Sequence, residues 1–496
     1  MKKQFICLLF SLFSVIGLCA NSHAIKHISS VHGLCDVTKA FLSLPECKHD
    51  FRLKKAHSRS VMPSPTYKGV EKDVLEEVTA EHLKMFKGPK NAGFRSQNQW
   101  LGTPLDINKH TKKPSHDTER YVQKIKIPAG STVCFLGDIH GSIHSLIRTL
   151  WRLVVLGHLN EDLTIKNKNF YIVFLGDYVD RGRWGAEVVT TLMLLKQKNW
   201  NNVFPVAGNH ETGFIATRYG FFEELQKKFD SAADQLYNDV NNKFFKLLPV
   251  ALFIECEGNV VQCCHGGIEP NYNPIDFLDC SRALFQSVGS EQACAGLFWN
   301  DFCQTGEDAK SHRGGSCIVA GRNHTLEYLN HNNIKHIMRA HQDQEYGFKL
   351  FFADAVDLQG CSARYQNGPY YWIPVFNSLG LGHIFPLAAF AHHPVFTLST
   401  AAEGQALPYD CFGLMQTGLM WNDWMMEMYE LFLGRGGNET DREGKFVCLC
   451  KHNNAEVQTE RVVPSGLQEE DLISVSWHAQ FNENRLDEGL MDICAH

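Results

Sequence analysis

The sequence predicts an α/β fold, and two observations carry that reading. Three apolar runs, STVCFLGD at 131–138, FYIVFLGD at 170–177 and VFPVAGN at 203–209, each close on a Gly-Asp or Gly-Asn. Between them, Ile143–Leu156 and Gly185–Lys198 place apolar residues three and four apart, as a helix with one buried face requires. Strand, loop, helix, strand is the grammar of βαβ units whose sheet is covered on both faces. Polar groups at the carboxyl ends of such strands converge in one crevice.

The remaining elements follow in order. A short helix is expected near 71–87, between polar stretches at 56–69 and 108–118 that read as linkers. Ala251–Cys256 and Val260–Cys264 form a hairpin, and Lys335–Arg339 and Val395–Ser399 supply further strands. The run 355–394 is aromatic and apolar, with Tyr370-Tyr371-Trp372, and suits either a lid or groove wall or a hairpin that covers core. Leu414–Leu433 carries Met and Trp at helical spacing and is expected to pack in the core. From Gly434 the chain turns polar and charged. The resulting organisation is a leader at 1–24, an N-terminal extension and linker at 25–130, a main domain at 131–420 with 355–394 as an insertion, and a C-terminal extension at 421–496.

Composition narrows the function classes. With 496 residues, 44% hydrophobic and 21% charged, the chain can bury a core and is not a disordered sequence. Lys plus Arg number 48 against 54 Asp plus Glu, a net −6, and no basic stripe is present, so nucleic acid is not an expected partner. Residues 1–24 join two lysines to an apolar stretch and then small residues, the layout of a signal peptide cleaved after Ala20 or Ala24. No later segment offers ~20 uninterrupted apolar residues, so no stable membrane span is expected. The lysine-led leader resembles bacterial ones. An exported protein, periplasmic or secreted, follows as the expectation, with host proteins among its conceivable partners.

Of 17 cysteines, Cys7 and Cys19 belong to the leader, which leaves an odd count that cannot pair completely. An oxidising compartment would permit a Cys35–Cys47 disulfide. Cys263-Cys264 and Cys448-x-Cys450 could serve as metal thiolates, but the first pair sits in an apolar strand and the second lacks a partner pair at zinc-site spacing.

The chemistry lies at the strand ends. Gly137-Asp138-Ile139-His140-Gly141 presents a carboxylate and an imidazole from one turn. Gly176-Asp177-Tyr178-Val179-Asp180-Arg181-Gly182 adds two carboxylates and a guanidinium, and Gly208-Asn209-His210-Glu211 an amide, an imidazole and a carboxylate. His265-Gly266-Gly267 and Arg339-Ala340-His341 follow later strands. Oxygen and imidazole ligands without thiolates suit manganese, iron or zinc, and a bridging carboxylate allows two ions ~3.5–4 Å apart. Any one of these motifs is weak; five in one order, each at a strand end, are not accidental.

GDIHG, GDYVDRG, GNHE, CCHGG and RAHQ together resemble the signature of the phosphoprotein phosphatase family, the metal-dependent serine/threonine phosphatases among the calcineurin-like metallophosphoesterases. The similarity extends to Arg218-Tyr219-Gly220-Phe221-Phe222, Leu248-Pro249-Val250-Ala251 and Phe298-Trp299-Asn300-Asp301, within residues 131–420. It implies a β-sandwich flanked by helices (αββα), with N- and C-terminal extensions. It also implies two divalent cations, manganese first and iron or zinc as alternatives. Asp138 and His140 would hold the first ion, Asp177 would bridge, and Asn209, His265 and His341 would hold the second. Arg181, Asn209, His210 and Arg313 would contact the phosphate. His210 would protonate the leaving oxygen, with Asp180 orienting its ring.

Those roles agree with elementary chemistry. Two cations bring water's pKa near neutrality and offset the phosphate's repulsion of a hydroxide, so attack is direct and no phosphoenzyme is needed. Cys264 lacks the cationic cradle a thiolate nucleophile requires. The expected activity is hydrolysis of phosphomonoesters on a phosphoprotein or phosphopeptide, phosphotyrosine or phosphoserine/threonine. A diadenosine-polyphosphate or nucleotide phosphohydrolase is the alternative, since its relatives share the first three motifs, and a catalytically silent binding module is a third reading.

Departures bear on substrate choice. Ser142 stands where eukaryotic members usually have Gln, and Ala401-Ala402-Glu403-Gly404 replaces a segment that carries a tyrosine over the metals. The 355–394 run is longer than the usual link.

Overall fold

The computed structural model describes Phe41, Leu44 and residues 69–87, 120–212, 214–280, 285–303, 305–342, 348–351, 388–389, 395–400, 409–417, 424–432 and 442–450. The leader, the Cys35–Cys47 pair, the 108–118 stretch, all of 56–69 but Gly69, and all of 355–394 but Ala388–Ala389 lie outside the described residues.

In chain order the helices are α1 (Lys72–Lys87), α2 (Ile143–Val155), α3 (Gly185–Lys198), α4 (Phe221–Phe229), α5 (Ala233–Lys243), α6 (Ile275–Asp279), α7 (Ala295–Trp299) and α8 (Arg322–His331). The strands are β1 (Arg120–Lys126), β2 (Thr132–Leu136), β3 (Phe170–Phe174), β4 (Val203–Pro205), β5 (Ala251–Cys256), β6 (Asn259–Cys264), β7 (Phe285–Gly289), β8 (Asp301–Phe302), β9 (Ala309–Lys310), β10 (Ile318–Ala320), β11 (Ile334–Arg339), β12 (Phe348–Phe351), β13 (Ala388–Ala389), β14 (Val395–Leu398), β15 (Tyr409–Thr417), β16 (Trp424–Phe432) and β17 (Arg442–Cys450). One seven-stranded sheet has the order β13-β17-β16-β15-β2-β3-β4, a second the order β12-β14-β11-β6-β5-β1-β7, and β8-β10-β9 form a small third.

Side-chain alternation stacks the two large sheets. Val133 and Phe135 of β2 share a core with Ile125, Leu252, Val261 and Met338 of the second sheet. Cys134 and Leu136, between them in sequence, belong instead to the core that contains Leu146, Leu150 and Val189 of α2 and α3. The period of two places one face of β2 against the other sheet and its reverse against helices, which yields the expected αββα layering. The βαβ grammar holds: β2, β3 and β4 are parallel neighbours. The hairpin of β5 and β6 is antiparallel, with β11 and β14 parallel beyond it.

Three features differ from the sequence expectation. The sheet begins before Ser131, because β1 pairs with β5 and β7. Leu414–Leu433 is not helical: β15 and β16 occupy most of it as an antiparallel pair. Met and Leu favour helices locally, but β15 fills the open edge of β2, from Phe412 opposite Leu136 to Gln416 opposite Thr132, and tertiary pairing overrides propensity. The charged stretch after Gly434 continues the same sheet, since β17 pairs along all of β16.

The N-terminal extension is fastened to the helical layer. Val74, Leu75 and Val78 of α1 join the main core. The Val70 N–H donates to Glu187 Oε1 of α3 at 2.8 Å, and Lys228 pairs with both Glu187 and Glu224. His82 packs edge-on against Phe244 at 5.2 Å. Cys134, Cys256, Cys263, Cys264, Cys280, Cys294, Cys303 and Cys317 are all free thiols.

Candidate metal centre

Four loops are tied together before any side chain reaches the centre. Asp138 forms an isolated parallel bridge with Ser399. The Gly137 N–H donates to Thr400 Oγ1 at 3.0 Å, and the Thr400 N–H to the Asp138 carbonyl at 2.9 Å. A Cβ on Gly137 would stand 1.9 Å from the Leu398 carbonyl oxygen, so only glycine lets these strand ends touch. The N–H groups of Ile139 and His140 both donate to the Asp177 carbonyl at 2.9 Å. Buried Glu211 fastens the next pair of loops: Oε2 accepts the Asp177 and Gly208 N–H groups and Oε1 that of Tyr178, all at 2.8 Å. Burial first, then the charge of Asp177, pushes the Glu211 carboxyl up to about 7. Among the described non-glycine residues, five of the nine with positive φ are His140, Asp177, Asp180, Arg181 and His341. Backbone strain is thus concentrated where these loops converge.

The histidine tautomers follow from their carbonyl partners. His140 Nδ1 lies 3.0 Å from the Val179 carbonyl and His265 Nδ1 2.8 Å from that of Leu175. A carbonyl only accepts, so each Nδ1 carries the proton and each Nε2 presents a lone pair. His265 Nε2 then stands 3.1 Å from Asp177 Oδ2, 3.0 Å from Asn209 Oδ1 and 3.0 Å from His341 Nδ1. Nε2 of His140 and Nε2 of His341 are buried with no hydrogen-bond partner, and the former is 3.5 Å from Asp177 Oδ2.

This convergence of acceptors and lone pairs fits cations. Ligand atoms of His140, Asp177 and His210 lie within 4.8 Å of one another, and so do those of Asp177, His265 and His341. Asp177 is common to both sets. Asp138 is aimed differently: its Oδ1 accepts the His341 N–H at 2.9 Å and lies 3.6 Å from His265 Nδ1.

His210 belongs to a second constellation. Its Nδ1 donates to Asp180 Oδ2 at 2.6 Å, and Asp180 Oδ1 accepts the Phe221 N–H at 2.7 Å. The His210 ring meets His140 edge-on at 4.7 Å. Arg181 is exposed, and its charge acts on both His140 and His210. The charge of Arg313 acts on His341, a member of the other set of ligand atoms. Arg313 is itself held by Asp301, Nε to Oδ2 at 2.8 Å and Nη2 to Oδ1 at 3.3 Å.

Electrostatics divide the four imidazoles: burial opposes the charged form of each, but the Asp177 carboxylate and further partners outweigh it at His210 and His265 and raise both. Burial holds His140 and His341 well below the usual imidazole range, with Arg181 adding to the effect on the former and His265 on the latter. Burial opposes the Asp177 carboxylate, but His265 and His210 outweigh it and hold that group well below its ordinary value. Burial pushes the Cys264 thiol up to about 11, and its S–H donates to the Gly267 carbonyl, which makes it an inert core group.

All ten residues singled out from the sequence therefore lie in or beside one cluster, with Arg313 at its margin. Glu211 was visible in the GNHE motif as a carboxylate without a role, and Asp301 as part of a motif. Thr400 carried no local signal, because its partner is Gly137, far away in sequence.

The described chain is thus a two-layer sandwich whose strand ends bring carboxylate, amide and imidazole groups into one buried cluster able to hold metal ions. The family model for calcineurin-like phosphoesterases matches residues 131–345. The chain is 36% identical over 237 residues to serine/threonine-protein phosphatase SIT4 of Candida albicans, 48% of this chain and 69% of that one. It is 34% identical over 230 residues to the serine/threonine-protein phosphatase 6 catalytic subunit of Caenorhabditis elegans, of whose length it spans 63%. A solved serine/threonine phosphatase from Saccharomyces cerevisiae aligns with 78% of this chain and 92% of its own at 17% identity and a TM-score of 0.43. The chain belongs to the calcineurin-like phosphoesterase family, and its homologues include serine/threonine protein phosphatases.

Proposed function

We propose that this protein is a dinuclear-metal-dependent phosphoprotein phosphatase that hydrolyses phosphomonoesters directly. The observation that carries the reading is the shared Asp177, within reach of two buried sets of ligand atoms. In this reading Asp138, His140 and Asp177 hold one ion and Asp177, Asn209, His265 and His341 the other. Two bound cations supply an acidified water and offset the phosphate's charge. Arg181, whose charge acts on His140 and His210, and Arg313, whose charge acts on His341, bind the non-bridging phosphate oxygens as planar forks. Asn209 and His210 complete the phosphate contacts. His210 gives its Nε2 proton to the leaving oxygen, and Asp180 fixes the ring through Nδ1. The strand-end loops, locked by Glu211 and Thr400, hold these groups in place before substrate arrives.

Manganese is the metal we favour, with iron and zinc next, because the donors are oxygen and imidazole only. The phosphatase relatives favour a phosphoprotein substrate over a dinucleotide. Export to a periplasm or the exterior, with a host protein as substrate, is the part of this proposal that rests on the 1–24 leader. No helix among the described residues is long and apolar enough to cross a membrane.

The test uses the full chain with Mn²⁺ and a panel of phosphotyrosine, phosphoserine and diadenosine-polyphosphate substrates. Phosphate release from the phosphopeptides, abolished by a chelator and retained in Cys264→Ser, is the expected result. Turnover of the dinucleotide alone, or of nothing, would overturn the proposal.

A further inference from the structure

The turn after Glu211 leaves two aromatic side chains in solvent. Phe214 is 59% and Tyr219 57% exposed, and these are the large hydrophobic side chains exposed among the described residues. A helical turn carries both: the Ala216 N–H donates to the Thr212 carbonyl at 3.3 Å, and those of Arg218 and Tyr219 to the Ile215 carbonyl at 2.8 and 3.1 Å. Ile215 and Ala216 are buried and anchor the turn. The Tyr219 ring meets His210 edge-on at 5.4 Å.

Arg218 completes the surface. It is exposed, and its guanidinium carbon lies 3.8 Å from the Phe214 ring centroid. No acidic side chain pairs with it among the described residues. A guanidinium stacked on a ring keeps its N–H edges free and its fork fixed, which suits a carboxylate better than a freely rotating lysine would. The surface adjoins His210, the proton donor of the phosphatase reading, and so lies within reach of a substrate that extends beyond the leaving oxygen on this side. On a chain with net charge −6, this turn presents a cation held against the exposed Phe214 ring and followed by exposed Tyr219.

We propose that Phe214, Arg218 and Tyr219 form a specificity subsite for a phosphopeptide with an acidic residue close to the phosphorylated one; the inference rests on the phosphatase reading above. The rings take apolar parts of the peptide and Arg218 takes its carboxylate. A small aryl phosphate, which ends at the ring, makes no use of Arg218 or Phe214.

The experiment compares kcat/KM of the full chain on matched phosphopeptides, one flanked by Glu and one by Lys, and on p-nitrophenyl phosphate, with anisotropy of the labelled peptides run in parallel. The Glu-flanked peptide is expected to be favoured ~10-fold, less so at high salt. Arg218→Glu reverses the order. Phe214→Ser raises KM ~3- to 10-fold for both peptides with kcat held, and all variants keep p-nitrophenyl phosphate turnover within ~2-fold. Equal use of the two peptides, or a ratio unmoved by Arg218→Glu, overturns the subsite. So does a loss of thermal stability in Phe214→Ser with unchanged kinetics, which would mean that the chain itself covers the rings. Arg218-dependent binding of the Glu-flanked peptide without phosphate release would support the subsite and sink the phosphatase reading instead.

Discussion

His210 and Asp180 form a buried dyad, 2.6 Å from Nδ1 to Oδ2, inside a loop whose residues 180 and 181 both have positive φ. The second Asp180 oxygen is taken by the Phe221 N–H, so the carboxylate cannot swing away from the imidazole. In the phosphatase reading, the dyad leaves Nε2 as the ring nitrogen that would give a proton to the leaving group.

His210→Asn should therefore lower kcat ~10²- to 10³-fold on an alkyl phosphate and less on p-nitrophenyl phosphate, whose leaving group needs little protonation. Asp180→Asn should follow the same pattern more weakly. Steady-state kinetics on both substrates, with metal content measured alongside, check this. Equal losses on the two substrates would contradict a proton-donor role.

The paired hydrogen bonds from Arg313 to Asp301 lead to a second expectation. Asp301 fixes the fork at the margin of the centre, so Asp301→Asn should raise KM for phosphopeptides ~5- to 10-fold while kcat changes less. Arg313→Lys should do at least as much harm, because a point charge cannot reproduce a planar fork. A kcat effect with unchanged KM would place Arg313 elsewhere in the cycle.

A third concerns the docking of α1. Burial first, then the charge of Lys196, lowers the His82 imidazole to about 3. The unfolded chain binds that proton from about 6.5 downwards, and the folded chain does not until about 3. Stability conferred by the neutral ring is complete above about 6.5 and falls as pH drops through that window. Between pH 6.5 and 5 the loss attributable to His82 is about 2 kcal/mol. Thermal melts of the wild type and His82→Phe over this range should diverge accordingly. Parallel curves would refute the assignment.

Much of the cluster could be read from local sequence because its residues follow short, buried apolar runs, which a glycine closes directly before Asp138, Asp177 and Asn209. The helices α2 and α3 were equally plain from their three- and four-residue spacing. What could not be read is whatever depends on distant pairing. Met415, Met426 and Met428 look helical by propensity, yet they lie in β15 and β16, because β2 had an edge to fill. Asp301 betrays nothing of its hold on Arg313, and Thr400 nothing of its grip on Gly137, since neither distance is encoded within a window of neighbours.

The pairing of β15 with β2 also fixes an order of events during synthesis. Phe412 has to leave the ribosome before Leu136 gains its partner on that side, and at about 5–20 residues per second the nascent chain spends on the order of half a minute with that strand edge bare. Completion of this sheet thus waits for the last fifth of translation, and a message truncated before codon 409 would yield a product whose bare β2 edge makes it prone to self-association.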